Sequence, residues 1–135
     1  MKKFVQLISI ALLAFMCVSL LASCVPASNP DKAAAALQKA GYKVEKEIVD
    51  EDDPDMPFDN VTSVVIGAKD NDELDGVTII YFASASDASK AYKTSELKQL
   101  YEDQIKRDNK DVELVYARFG KIVYIGTKDA IKAAR

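Results

Sequence analysis

Two runs of β-branched and aromatic residues constrain the fold of this 135-residue chain more than any other feature. The first run, VTSVVIGAK, begins at Val61, and the second, GVTIIYFA, begins at Gly76. Such residues favour strands, and the polar segment between the runs ends in the turn dipeptide Asp75-Gly76. The pair therefore predicts an antiparallel hairpin. In the second run both alternating sets of side chains are largely apolar, which is typical of a central strand.

Capping and periodicity predict the remaining elements. Ser28 or Asn29 caps a helix over residues 30–40, which stops at Gly41, and residues 42–49 alternate like a half-exposed strand. A capping box formed by Ser84 and Asp87 opens a helix that runs to about residue 106. Two strands joined around Phe119-Gly120 and a short helix capped by Thr127 complete the chain.

The resulting order is α, β, β, β, α, β, β, α. This order predicts an α+β fold, a two-layer sandwich with an antiparallel sheet of about five strands and the helices on one face. Two segments of the chain are also similar to each other. VVIGAKD at 64–70 and VYIGTKD at 123–129 agree at five of seven positions, and we call this similarity the sequence echo. Duplication of an αββ unit and chance similarity of two β-rich segments both explain the echo.

The first 23 residues have the layout of a secretory signal. A positive start, Met1-Lys2-Lys3, precedes an apolar stretch that is interrupted only by Gln6, Ser9 and Ser19. A transmembrane anchor is the alternative, because about 18 or more apolar residues can span a bilayer.

The end of this stretch, Leu21-Ala22-Ser23-Cys24, resembles the lipobox of bacterial lipoproteins. The resemblance implies that residues 1–23 are a cleaved signal peptide and that Cys24 receives a diacylglyceryl group. Residues 24–29 are then the lipidated cysteine and a short tether, and residues 30–135 form a single α+β domain. Two acyl chains anchor a protein stably in the lipid bilayer. The implied location is extracytoplasmic, on the outer face of the cytoplasmic membrane or on the periplasmic side.

Composition excludes several kinds of chemistry. The chain has no histidine and no tryptophan, and no cysteine follows Cys24. Histidine-based nucleophile activation, histidine-ligated zinc and a disulfide within the domain are therefore ruled out. Acidic residues outnumber basic ones by 21 to 18, and Lys2 and Lys3 lie in the signal segment. An acidic domain is repelled by nucleic acid and by anionic lipid, so we expect neither of them as a partner.

An acidic loop, DEDDPDMPFDN at 50–60, is the first candidate site. Calcium requires six to eight oxygen ligands, and the candidate ligands are Asp50, Asp52, Asp53, Asp55 and Asp59. Pro54 stands where an EF-hand loop has its third ligand, so a solvated acidic loop is the simpler interpretation. Paired carboxylates in a proline-broken loop do not favour glycosidase chemistry, and we expect no enzymatic activity.

Aromatic residues on the predicted strands are the second candidate. Tyr81, Tyr116 and Tyr124, with Arg118 at a strand end, would form a contact surface if one sheet face were uncovered. The alternative is that they pack under the helices. We expect a non-catalytic binding or interaction module whose partner is an envelope protein or peptide, with no cofactor besides the lipid on Cys24. A structural accessory subunit of a membrane complex and a calcium-binding domain are the other hypotheses.

Overall fold

The computed structural model describes residues 25–69, 75–94, 96, 99, 102–103 and 114–135. The signal segment and Cys24 lie outside the described residues, as does most of the predicted helix beyond Thr94. The described elements follow the predicted order: α1 Pro30–Lys39, β1 Lys43–Ile48, β2 Val61–Ala68, β3 Gly76–Phe82, α2 Ala85–Thr94, β4 Leu114–Phe119, β5 Ile122–Thr127 and α3 Lys128–Ala133. The α+β class is therefore confirmed.

Helix α1 begins where the sequence places its cap. The Asn29 side chain accepts hydrogen bonds from the backbone N–H groups of Asp31, at 2.9 Å, and Lys32, at 3.3 Å. Pro30 occupies the first helical position, where no N–H is needed. Gly41, with a φ of +92°, reverses the chain after the helix. Leu37 then points into the core and is fully buried.

The five strands form one antiparallel sheet in the order β1-β2-β3-β5-β4, which confirms the predicted sheet. β3 lies at its centre, and six of its seven residues are buried, as the two apolar sets of that run predict. β1 and β4 are the edges. β1 is mostly exposed and alternates Lys and Glu, and charges of this kind discourage pairing with another strand.

Strand register defines two ends of the sheet. One end, called the basal end below, is where β1, β3 and β4 terminate and where β2 and β5 begin. Directly opposed residues share a face in an antiparallel sheet, so the last aligned residues form one row across all five strands. This basal row consists of Ile48, Ser63, Tyr81, Ile122 and Phe119.

Helices cover both faces of the sheet, whereas the sequence predicted them on one face. Helices α1 and α3 pack on the face of Val65, Ile79 and Tyr124. Helix α2 packs on the opposite face, with Ile80 and Val123. The physical reason lies in β3, whose two apolar sets both require a cover that excludes water.

The sequence echo has a local cause. Gly67 on β2 and Gly126 on β5 both oppose Val77 of β3. A β-carbon at Gly67 would lie 3.0 Å from the Leu37 side chain, and one at Gly126 would lie 2.4 Å from the Gly76 carbonyl oxygen. Backbone at Gly126 therefore leaves no room for a side chain, whereas at Gly67 the Leu37 side chain would have to shift. The two echo strands present equivalent residues to the same face, yet α1 and α2 lie on opposite faces, so the similarity does not extend to whole αββ units.

Candidate functional site

The segment that precedes α1 is docked on the domain. The Ala27 N–H donates to the Ala134 carbonyl oxygen at 2.9 Å, and the Tyr81 hydroxyl donates to the Ala27 carbonyl oxygen at 2.9 Å. Pro26 is buried. The sequence interpreted residues 24–29 as a tether, but the structure attaches residues 26–29 to the domain. Val25 is thus the one residue between this docked segment and Cys24.

The acidic loop between β1 and β2 is folded against the domain. The Asp53 N–H donates to the Asp50 carbonyl oxygen at 3.1 Å, and the Asp53 carboxylate accepts the Asp55 N–H at 2.9 Å. Two apolar residues of the loop, Met56 and Phe58, pack on the α2 face of the sheet. Phe58 contacts Phe82 edge to face, with ring centroids 6.3 Å apart. These contacts hold the carboxylates around a defined space.

That space is an open cleft of about 490 Å³ at the basal end. Its lining combines four acidic residues, Asp50, Glu51, Asp53 and Asp59, with apolar ones that include Met56 and Phe58. Carboxylates bind cations and accept hydrogen bonds from them, while methionine and phenylalanine contact apolar groups. We call this space the acidic cleft. Its chemistry suits a ligand that carries a positive charge beside an apolar part.

A capping box fixes the edge of the acidic cleft. The Ser84 hydroxyl donates to the Asp87 carboxylate at 2.5 Å, and the Asp87 N–H donates back to the Ser84 oxygen at 3.2 Å, as the sequence predicted. The Asn60 amide, from a residue with a φ of +59°, also donates to Asp87 at 3.2 Å. The hydrogen bonds from Ser84 and Asn60 lower the pKa of Asp87. This carboxylate therefore joins the end of the acidic loop to the start of α2.

The candidate calcium ligands are only partly brought together. Asp50, Asp53 and Asp59 line the acidic cleft, whereas Asp52 and Asp55 do not. Within the ranges that the structure describes, no group of three or more carboxylates is placed to share a metal ion. Calcium binding by the loop stays a prediction.

The tyrosines of the second candidate site lie on both faces of the sheet. Tyr81 and Tyr124 are buried under α1 and α3, and burial raises the pKa of Tyr81. Tyr116, on the other face, stacks on Tyr92 at 4.7 Å and donates to the Tyr92 carbonyl oxygen at 2.9 Å. Arg118 is exposed and donates to the Gly120 carbonyl oxygen. The four residues do not form one contact surface.

A polar cluster at the opposite end of the sheet was missed by sequence reasoning. The Asp75 carboxylate accepts hydrogen bonds from the hydroxyls of Tyr42, at 3.0 and 3.1 Å, and Thr127, at 2.7 Å. Lys69 Nζ lies 3.8 Å from Asp75 and 4.8 Å from the centroid of the Tyr42 ring. Burial, and then the bond to Asp75, raise the pKa of Tyr42. The cluster joins the ends of four strands, β1, β2, β3 and β5, and is structural. Its one sequence signal, Asp75-Gly76, indicated only a turn.

Comparison with known proteins identifies no relative of this chain. No protein-family model, curated protein or solved structure matches the chain. Among the described residues, no helix has the length and apolar character that crossing a bilayer requires. Three features of this chain bear on its function: the lipobox resemblance, the docked segment and the acidic cleft.

Proposed function

We propose that this chain is a membrane-anchored extracytoplasmic lipoprotein whose domain binds a partner without catalysis. The partner is a protein or peptide segment of the cell envelope that presents a basic side chain next to an apolar one. The observation that carries the proposal is the acidic cleft, whose lining combines Asp50, Asp53 and Asp59 with Met56 and Phe58.

The dimensions and chemistry of the acidic cleft support binding. Its volume of about 490 Å³ falls in the range of roughly 300 to 1,000 Å³ that is common for ligand sites. A lysine or arginine side chain would form charge-assisted hydrogen bonds with the carboxylates. Phe58, anchored by its contact with Phe82, would pack against the apolar neighbour of that basic residue. Specificity then comes from the pairing of charge and apolar contact in one site.

The anchoring part of the proposal is supported by Leu21-Ala22-Ser23-Cys24 and by the docked segment. Only Val25 lies between Cys24 and the buried Pro26. Because consecutive Cα atoms are about 3.8 Å apart, Cys24 lies within roughly 8 Å of Pro26. A lipid on Cys24 would therefore hold the domain directly against the membrane.

Mass spectrometry of the native protein tests the anchor. We expect a mature chain that begins at Cys24 and carries a diacylglyceryl group on that residue. A recovered peptide that runs from Ser23 to Val25 with an unmodified cysteine would disprove lipidation.

Crosslinking in intact envelopes tests the acidic cleft. We expect the wild-type protein to form a defined crosslinked product that Asp53→Asn/Asp59→Asn no longer forms. Asparagine at position 53 still accepts the Asp55 N–H, so the loop keeps its turn. The matched control, Glu45→Gln/Glu47→Gln on the exposed edge strand β1, removes the same charge elsewhere and should retain the product. Loss of the product in both variants would show that net charge, not the cleft, causes the interaction.

The same variants separate the two other hypotheses. An accessory subunit would be recovered in stoichiometric amounts with one membrane complex, and Asp53→Asn/Asp59→Asn would not release it. Calcium binding would raise the Tm of the wild-type protein at millimolar calcium and not that of the double variant. No rise in Tm for the wild-type protein removes the calcium hypothesis.

A further inference from the structure

Two large apolar side chains are exposed at the basal end of the sheet. Ile48 is 74% exposed and Phe119 is 60% exposed. They occupy the two edge strands and belong to the same basal row, so they lie on one face and at one level of the sheet. Four strand spacings of about 4.8 Å separate them, or roughly 19 Å. The two side chains therefore mark the outer limits of one end of the sheet.

A shallow apolar hollow lies beside Phe119. Its volume is about 290 Å³, and it is bounded by Phe119 and Ile122 on one side and by Ser28 and Pro30 on the other. The docked segment therefore forms one wall of the hollow. Ala27 of this segment accepts a hydrogen bond from Tyr81 of the basal row, so the segment passes close to the basal row two residues after Val25.

The charges around Phe119 are positive. Arg118 and Lys121 flank the β4–β5 turn and are exposed, and Arg135 follows Ala134, the residue whose carbonyl binds Ala27. The acidic loop emerges from β1 and β2, on the other side of the basal end. Basic residues beside an exposed aromatic ring suit the phosphate and glycerol region of a lipid bilayer.

We propose that the basal end docks on the membrane, with Phe119 and Ile48 in the interfacial region of the bilayer and Arg118 and Lys121 at the level of the lipid phosphates. This inference rests on the proposed lipid anchor at Cys24. The occupant is the bilayer because the anchor leaves the domain at this end and the free tether is only one residue long. If the basal end leaves the membrane, it rebinds rapidly, because the lipid anchor keeps the effective concentration of the basal end at the membrane surface high.

The orientation has a consequence for binding. Met56 and Phe58 of the acidic cleft pack on the α2 face, whereas the basal row lies on the face of α1 and α3, and Thr62 lines both the cleft and the hollow. Docking through the basal row would place the acidic cleft beside the membrane surface, because Val49 and Asp50 of its lining directly follow Ile48. Arg118 and Lys121 would lie near the phosphates.

The absence of tryptophan from the chain makes this orientation measurable. The full-length protein, processed and lipidated in cells, would carry one tryptophan in each of the variants Phe119→Trp, Ile48→Trp and Ile66→Trp. Ile66 is a matched control because it is 42% exposed, lies on the opposite face and is three positions along β2 from the basal row, or about 10 Å. Each variant is reconstituted in vesicles of zwitterionic lipid, with and without bromine on the acyl chains.

We expect the emission of Phe119→Trp and Ile48→Trp to shift to shorter wavelength and to be quenched by brominated lipid, while Ile66→Trp is unaffected. If the variants float with the vesicles but position 119 is quenched no more than position 66, the docking inference is overturned and lipid anchoring still stands. Equal quenching at all three positions would also overturn the assigned orientation. If the protein does not float and Cys24 is unmodified, the proposed anchor itself fails. If substitution at Phe119 impairs folding, the variant Ile48→Trp still tests the proposal.

Discussion

Substitution of Tyr81 by phenylalanine tests whether residues 26–29 belong to the folded domain. The ring of Tyr81 is 5% exposed and packs in the core on the face of α1 and α3. Tyr81→Phe keeps that packing and removes the hydroxyl, which donates to the Ala27 carbonyl oxygen at 2.9 Å. The variant therefore isolates one contact between the sheet and the docked segment.

The expected loss can be estimated from the hydrogen bonds involved. A hydrogen bond contributes about 0.5 to 1.5 kcal/mol net, and a buried carbonyl left without a donor costs about 1 to 3 kcal/mol. The carbonyl of Ala27 can regain water if the segment lifts, but the bond from the Ala27 N–H to Ala134 is then lost as well. We expect Tyr81→Phe to lower the free energy of unfolding by about 1 to 2 kcal/mol, which corresponds to a Tm several degrees lower for a domain of this size.

Thermal unfolding combined with hydrogen exchange measures both parts of this expectation. Tyr116→Phe is the matched control, because it removes a hydroxyl that also donates to a backbone carbonyl at 2.9 Å, on the other face of the sheet. Both variants should be less stable, but only Tyr81→Phe should speed exchange of the Ala27 amide. Unchanged exchange at Ala27 in Tyr81→Phe, or equal acceleration in both variants, would refute the docking of this segment on the sheet.

Three further outcomes follow from the structure. Asp75→Ala leaves the Tyr42 and Thr127 hydroxyls without their acceptor, so we expect urea unfolding to show a loss of about 1 to 3 kcal/mol. Lys69→Ala, which removes a partly exposed ion pair and a contact of the ammonium with the Tyr42 ring, should cost less than about 1 kcal/mol. Folding raises the pKa of the hydroxyls of Tyr42, Tyr81 and Tyr116. The unfolded state therefore loses these hydroxyl protons at a lower pH than the folded state does. The contribution of these tyrosines to stability should thus be constant below pH 10 and fall above about pH 10 by at most about 1.4 kcal/mol per pH unit for each group, with a shallower slope in Tyr81→Phe. Gly126→Ala places a β-carbon 2.4 Å from the Gly76 carbonyl oxygen, so β3 and β5 must separate, at a cost of about 1 to 3 kcal/mol in thermal unfolding; a Tm equal to that of the wild type would contradict the close approach.

Local signals made the element order predictable. Asn29 before Pro30, Ser84 before Asp87 and Thr127 before α3 each cap a helix through bonds that span two or three residues. The β-branched runs form β2 and β3 because their side chains suit a pleated, buried surface. Such interactions depend on near neighbours in the chain, so the sequence expresses them directly.

The candidate site was predictable only in part. The acidic residues of 50–59 are conspicuous in the sequence, but their assembly with Met56 and Phe58 into a cleft depends on packing against Phe82 and the α2 face. Ile48 and Phe119 are 71 positions apart by residue number, and only strand pairing places them in one row. No local pattern distinguishes an exposed Phe119 from a buried one.

The sequence by itself determined the order of the elements, the strand pairs joined by short turns and the lipobox-like segment at Cys24. Each of these features depends on residues that are close together in the chain. Tertiary structure alone decided that α2 covers the face opposite α1 and α3. It also decided that Ala27 forms hydrogen bonds with Tyr81 and Ala134, and that Asp75 accepts hydrogen bonds from two hydroxyls that are distant in sequence. The physical reason is that burial and hydrogen-bond pairing are properties of the whole chain, since each buried polar group takes its partner from whichever segment packing brings within reach.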